Sequence, residues 1–222
     1  YYDFGAVLIT QRSPTITFTI DNLGTADLFL TATPKLALTG PAAMDFQVID
    51  QTTNTVVPGG HTSLMVTFAP TVMGPRTALL TIASNDGDES NYTLTLQGVG
   101  LTPDLNVKQG SMDLPNGGSF DVGPSAVGHQ VHYPFTIDNL GNSDLTLNGS
   151  SKIQVSGANA GEFSIDDTAT TSPIIAGTRT TFILNFIPTS LGKKTATLTI
   201  ANNDLDEGSY TFTVTGSAEP HQ

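Results

Sequence analysis

Six acidic side chains fall in two short runs: Asp86, Asp88 and Glu89 in one, and Asp204, Asp206 and Glu207 in the other. Carboxylates at such spacing can converge on one hard, oxygen-seeking cation, and Ca2+ is the candidate ligand. The stretch Asp86-Gly87-Asp88-Glu89-Ser90 matches the first positions of an EF-hand loop, but Asn91 stands where that loop needs Gly and Gln97 where it needs Glu. An EF-hand is therefore excluded. Two readings stay open: a different calcium site, or a solvated hairpin tip built from residues that favour turns. Carboxylate pairs that hydrolyse glycosidic bonds act across a cleft, and a hairpin tip does not supply one.

Other catalytic constellations are missing. The histidines are His61, His129, His132 and His221, and none has an acidic or Cys partner at metal-ligand spacing. His132 lies between the inward positions Val131 and Tyr133, so it should face solvent. No G-x-S-x-G elbow occurs. Gly192-Lys193-Lys194-Thr195 lacks the preceding glycine of a phosphate loop, and a duplicate of it reads Gly74-Pro75-Arg76-Thr77; a turn leading into a strand fits both. The chain has no cysteine, hence no disulfide and no thiolate nucleophile. Asn91-Tyr92-Thr93 and Asn148-Gly149-Ser150 are glycosylation sequons, which matter only in a eukaryotic secretory pathway. Tyr1, Tyr2 and Phe29 are candidate exposed aromatics, a narrow basis for a sugar platform. The expectation is a chain that is not an enzyme and needs no cofactor, Ca2+ apart.

A net charge of −12 with eight basic residues opposes binding to nucleic acid or anionic lipid. Charged residues make up 13% of the chain, against about 25% in an ordinary soluble domain. Thr, Ser and Asn must therefore supply the polar surface, and Thr suits strands. No apolar run is long enough to span a membrane as a helix, and no signal peptide is seen. The opening Tyr1-Tyr2-Asp3-Phe4-Gly5 reads like the interior of a domain, which suggests a piece of something longer.

These residues are positioned by a repeat. FTIDNLGTADLFL at 18–30 and FTIDNLGNSDLTL at 135–147 agree at ten of thirteen positions. GPRTALLTIASND at 74–86 meets GKKTATLTIANND at 192–204, and Lys35, Phe46, Gly59, Tyr92 and Gly98 meet Lys152, Phe163, Gly177, Tyr210 and Gly216. The period is that of a small domain, so the chain divides into 1–100 and 103–218 with a short Pro-containing linker at 99–103 that should be stiff. Apolar residues alternate with Thr in nearly every segment, as in Ile16, Phe18 and Ile20 or Phe182, Leu184 and Phe186. Tyr92, Leu94 and Leu96, like Tyr210, Phe212 and Val214, should point inward. Asn22-Leu23-Gly24, Asn139-Leu140-Gly141 and Pro58-Gly59-Gly60 read as turns. Pro103-Asp104-Leu105-Asn106-Val107-Lys108 reads as an edge strand with Leu105 and Val107 on one face. Nothing equivalent precedes residue 1 in this sequence, so the first copy should lack its opening strand, which either an upstream segment of the native protein or another chain would supply.

Each copy carries F-T-I-x-N-x-G, then D-L-x-L, a PGG or AGT turn, P-T-x-x-G, A-x-L-T-I-x-N-D and a closing Tyr and Gly. This set resembles the repeated immunoglobulin-like domains of bacterial choice-of-anchor D surface proteins, which are similar to ASH domains and to the major sperm protein fold. The resemblance covers nearly the whole chain twice. It implies an all-β protein of two tandem immunoglobulin-like β-sandwich domains. It further implies a structural or interaction module of a larger exported or cell-surface bacterial protein, extracellular or periplasmic, whose partners are proteins or neighbouring domains. A carbohydrate- or ligand-binding adhesin module, calcium-stabilised, is the alternative.

Overall fold

A computed structural model describes residues 1–220 of the chain, so the expectation for His221 lies outside the described residues. The chain divides into two compact units, Tyr1–Leu101 and Thr102–Gln222. The first is built from β1 (Tyr2–Leu8), β2 (Ile16–Asp21), β3 (Leu28–Phe29), β4 (Leu36–Thr39), β5 (Phe46–Asp50), β6 (Thr55–Val56), β7 (His61–Phe68), β8 (Gly74–Ala83) and β9 (Asn91–Leu101). One sheet runs β1-β9-β8-β4 and the other β2-β7-β5, with β3 and β6 paired separately.

The second unit contains β10 (Leu105–Gln109), β11 (Met112–Leu114), β12 (Ser119–Ala126), β13 (Val131–Asn139), β14 (Gln154–Ser156), β15 (Phe163–Asp166), β16 (Arg179–Phe186), β17 (Gly192–Ala201) and β18 (Ser209–Glu219). Its sheets run β12-β18-β17-β14 and β11-β10-β13-β16-β15. The sandwich is the same, with one hairpin, β10–β11, that has no counterpart within residues 1–101. β10 lies between β11 and β13, so it is not the edge strand that its sequence suggested; β11 forms the edge.

The period of two places the expected residues inside. Leu64, Val66 and Phe68 of β7, and Phe182, Leu184 and Phe186 of β16, are buried. Phe46 stacks on Phe68 with centroids 4.8 Å apart, and Phe163 stacks on Phe186 at 4.7 Å. Each stack joins directly opposite residues of neighbouring strands in one sheet, β5 with β7 and β15 with β16, and so helps to fix their register. A Cβ on Gly98 would come within 2.5 Å of the Phe68 ring, and one on Gly216 within 2.6 Å of Val122. Each closing glycine is therefore the space into which the core packs.

Polar residues inside the sandwiches are duplicated as well. Asn22 donates to the carbonyls of Ala26 and Val56 and accepts from the Gly24 amide. Asn139 does the same with Ser143, Ile174 and Gly141. Both are buried, so these side chains tie two loops together rather than merely permit a turn. Asn139→Ala should cost the second unit about 2 kcal/mol, because the carbonyls and the amide that it satisfies lose their partner. Chemical denaturation of the variant checks this, and a loss below about 0.5 kcal/mol would show that water replaces the amide freely.

A buried ion pair also recurs with changed chemistry. Asp45 meets Arg76 and accepts from the amide and hydroxyl of Thr71. Glu162 meets Lys194 at 2.9 Å and accepts from the Thr189 amide. In both units the pair fastens a single 3-10 turn, Ala43–Asp45 or Ala160–Glu162, to the start of β8 or β17, and the Thr71 or Thr189 bond fastens it to the P-T-x-x-G segment before that strand.

Candidate functional site

The two acidic runs occupy the β8–β9 and β17–β18 loops. Their surroundings differ. In the first unit Asp88 and Glu89 are exposed and Asp86 is half-buried, and the Asp88 amide donates to Asp86 Oδ1 at 3.4 Å, a local turn contact. In the second, Asp204 is 4% exposed and Glu207 half-buried, while Asp206 is exposed. Asp104, just ahead of β10, joins them: one carboxylate oxygen from each of Asp104, Asp204 and Glu207 lies within 4.8 Å of the other two. Among the described residues this is the only such set of three or more acidic or histidine side chains. The structure thus brings Asp204 and Glu207 together, adds Asp104, and leaves Asp86, Asp88, Glu89 and Asp206 outside the set.

The loop is organised by Asn202. Its side chain donates to the carbonyls of Ile200 and Glu207 and accepts from the Asp204 amide at 2.7 Å. The Leu105 amide donates to Asp204 Oδ2 at 2.8 Å, joining the start of β10 to this loop. The Asp104 backbone is held too, its carbonyl accepting from Leu140 and its amide reaching Asn139 Oδ1. Burial pushes the Asp204 carboxyl above its ordinary value; the Leu105 amide opposes this and the Asp206 carboxylate adds to it. Burial also raises Glu207, and the charges of Asp204, Asp206 and Asp104 raise it further. The phenol of Tyr210, buried below the loop, is pushed up to about 12, first by burial and then by Glu207.

A second candidate site lies in the first unit, where the β10–β11 hairpin has no counterpart. β2 pairs with β7 on one side only. Beside it opens a largely apolar cavity of about 470 Å3, lined by Phe18, Ile20, Leu28, Leu30, Tyr92 and Leu94 with Asp21 at its margin. The equivalent second-unit residues Phe135, Ile137, Leu145, Leu147, Tyr210 and Phe212 are all buried, beneath a hairpin that contributes the buried Leu105, Val107 and Leu114. Tyr92, expected to face inward, is instead 50% exposed, whereas Tyr210 is 1% exposed and donates its hydroxyl to the Leu114 carbonyl. The missing cover is the physical reason for the difference. Electrostatics follow the same division. Asp138 is held by Lys108 of the hairpin at 3.1 Å and by Arg179 at 3.3 Å, while the equivalent Asp21 is exposed and has no ion pair among the described residues. The first unit's own opening segment does not cover this edge, because β1 pairs in parallel with β9 of the other sheet.

The remaining sequence candidates are accounted for locally. His132 is exposed and bonded to Asn185. His129 lies in a turn where the Ser125 hydroxyl donates to its carbonyl at 3.0 Å. Tyr1 is exposed, but Tyr2 packs edge-on against Phe18 at 5.2 Å, and Phe29 is partly exposed. No helix of the described residues is long and apolar enough to cross a membrane.

Comparison with known proteins gives the fold context. The family model for HYDIN/CFA65/VesB-like Ig-like domains matches residues 1–99 and again 116–217. No curated protein matches the chain. Among solved structures, cadherin domains 1–5 of protocadherin gamma B2 align with a TM-score of 0.50 at 14% identity, over 98% of this chain and 38% of that one. A protein of unknown function from Porphyromonas gingivalis W83 aligns with a TM-score of 0.42 at 12% identity, over 95% of this chain and 93% of that one. The ASH/PapD-like domain 7 of human CEP192 aligns with a TM-score of 0.38 at 12% identity, over 55% of this chain and 89% of that one. At such identities the structural likeness speaks for the fold alone, whereas the family model matches each half of the sequence and the two matches together cover most of it. The chain belongs to the HYDIN/CFA65/VesB-like family of immunoglobulin-like domains.

Proposed function

We propose that the chain is a non-catalytic interaction module of a larger exported or cell-surface bacterial protein, and that β2 of its first unit accepts a β-hairpin, supplied by a preceding segment of the same polypeptide or by another chain. The observation that carries this reading is the open apolar cavity beside β2, on the face that the second unit covers with its own hairpin. An exposed strand edge above an apolar surface is a template for an added strand: main-chain hydrogen bonds supply affinity and alternate side chains fill the pockets.

The second unit specifies the chemistry of the occupant. In it, Leu105 and Val107 alternate inward opposite Asn139 and Ile137, and Lys108 reaches Asp138. The occupant is accordingly a hairpin with a Leu-x-Val-Lys first strand, whose apolar residues enter the cavity and whose cation meets Asp21.

A synthetic peptide with the sequence of residues 103–117 tests this against the full chain. Calorimetry should give saturable binding at about 0.1 mM or tighter, with amide shifts centred on Ile16–Asp21. A peptide carrying Asp at the positions of Leu105 and Val107 should not bind, and Asp21→Asn in the protein should weaken binding several-fold. No binding at millimolar peptide, or binding indifferent to both changes, sinks the proposal.

A further inference from the structure

We propose that Asp104, Asp204 and Glu207 form a binding site for a hard divalent cation of the Ca2+ class in the second unit. Two oxygens sharing one Ca2+ at roughly 2.4 Å stand at most about 4.8 Å apart. The three carboxylate oxygens meet that limit with no ion present.

A cluster of acids alone would not justify a site, because exposed carboxylates gather on many acidic surfaces. Here the innermost member is not exposed. Asp204 is 4% accessible, and its Oδ1 has no hydrogen-bond partner, while Oδ2 is engaged by the Leu105 amide. A buried carboxylate oxygen without a donor is costly, and a cation is the ligand that satisfies it. No lysine, arginine or histidine neutralises the group: none of the ion pairs among the described residues includes Asp104, Asp204 or Glu207. The positive charge must come from outside the protein or as shared protons.

The ligands also come from a prepared frame. Asn202 holds the loop that carries Asp204 and Glu207, and the Asp104 backbone is fixed at both its amide and its carbonyl. Binding therefore needs little ordering, which favours affinity. The ion would join the segment leading into β10 to the β17–β18 loop, fastening the hairpin to the sheet opposite. Residues 1–101 place Asp86 and Glu89 at the positions of Asp204 and Glu207 and contain no counterpart of Asp104 or β10. One site per chain is expected.

The test is calorimetry and thermal unfolding of chelator-treated full chain with CaCl2 or MgCl2 alone. Ca2+ should bind with a stoichiometry of one and raise the second unit's melting temperature by about 5 °C. Amide exchange at Leu105 and Asn106 should slow. Glu207→Gln and Asp104→Asn, both at half-exposed positions that should still fold, should each weaken binding about tenfold or more, as loss of a charged ligand does. Asp88→Asn in the first unit should change nothing. Overturning results are no heat and no shift at about 5 mM Ca2+, or binding unaffected by Glu207→Gln and Asp104→Asn. A melting temperature raised by mild acid and not by Ca2+ would assign the cluster to shared protons and would also overturn the site.

Discussion

Val107→Asp should lower the stability of the second unit by about 4 kcal/mol or more and leave the first unit's unfolding in place. Val107 is fully buried in the centre of β10, between Leu114 of β11 and Ile137 of β13. An aspartate there either carries an unpaired charge into the core or takes up a proton, and the valine contact is lost either way. The apolar residues beneath, Phe135, Ile137 and Tyr210 among them, would then be as poorly covered as Phe18, Ile20 and Tyr92 are in the first unit. Residue-resolved NMR through a urea titration reads the two units separately. A loss under about 1 kcal/mol would mean that the sandwich stands without its hairpin. The hairpin would then be a poor guide to what the first unit binds, so this measurement also bears on the strand-accepting reading.

Much of this architecture could be read from the chain because its signals are local and occur twice. The alternation of Thr with Ile, Val, Leu and Phe determines which face of each strand is buried, and the duplicated F-T-I-D-N-L-G segment marks the same strand and turn in each unit. Other features needed contacts between distant positions. Asp104 carried no signal, since it meets Asp204 only after β10 has paired with β13 and the Leu105 amide has reached across 99 positions of sequence. The acidic runs look equivalent as text, yet they differ physically because only one has a strand laid beside it. Asn22 and Asn139 pass for turn formers, although both are buried, with three and four side-chain hydrogen bonds respectively. Tyr92 and Tyr210 align, but their exposures of 50% and 1% follow from a hairpin that alternation within β9 and β18 cannot report.

Lys194→Met should cost the second unit about 3 kcal/mol, although its sequence context reads as a turn leading into a strand. Lys194 is 4% exposed, and its ammonium donates to Glu162 Oε1 at 2.9 Å and to the Ser190 hydroxyl at 2.7 Å. Methionine fills a similar volume but strands the Glu162 carboxylate in a largely buried position with only the Thr189 amide beside it. The double variant Glu162→Gln with Lys194→Met should recover most of the loss, because the stranded charge and not the missing attraction dominates the cost. The pH dependence carries an independent signature. Burial opposes ionisation of Glu162, but the Lys194 hydrogen bond, the Thr189 amide and the Lys194 charge outweigh it and hold the carboxyl below its ordinary value of 4.5. A carboxyl lowered in the folded state contributes its full stability above the unfolded value and loses it as the pH falls through the folded one. The second unit should therefore weaken as the pH drops below 4.5, and in Lys194→Met this acid slope should flatten. Asp45 serves as an internal control. Its burial opposes ionisation too, and Thr71 and Arg76 hold it below 3.8, so the first unit should keep its acid slope in the same sample. Unfolding followed residue by residue between about pH 7 and pH 3 separates the two. Unchanged slopes in both units, or a double variant no more stable than Lys194→Met, would reduce the pair to packing alone.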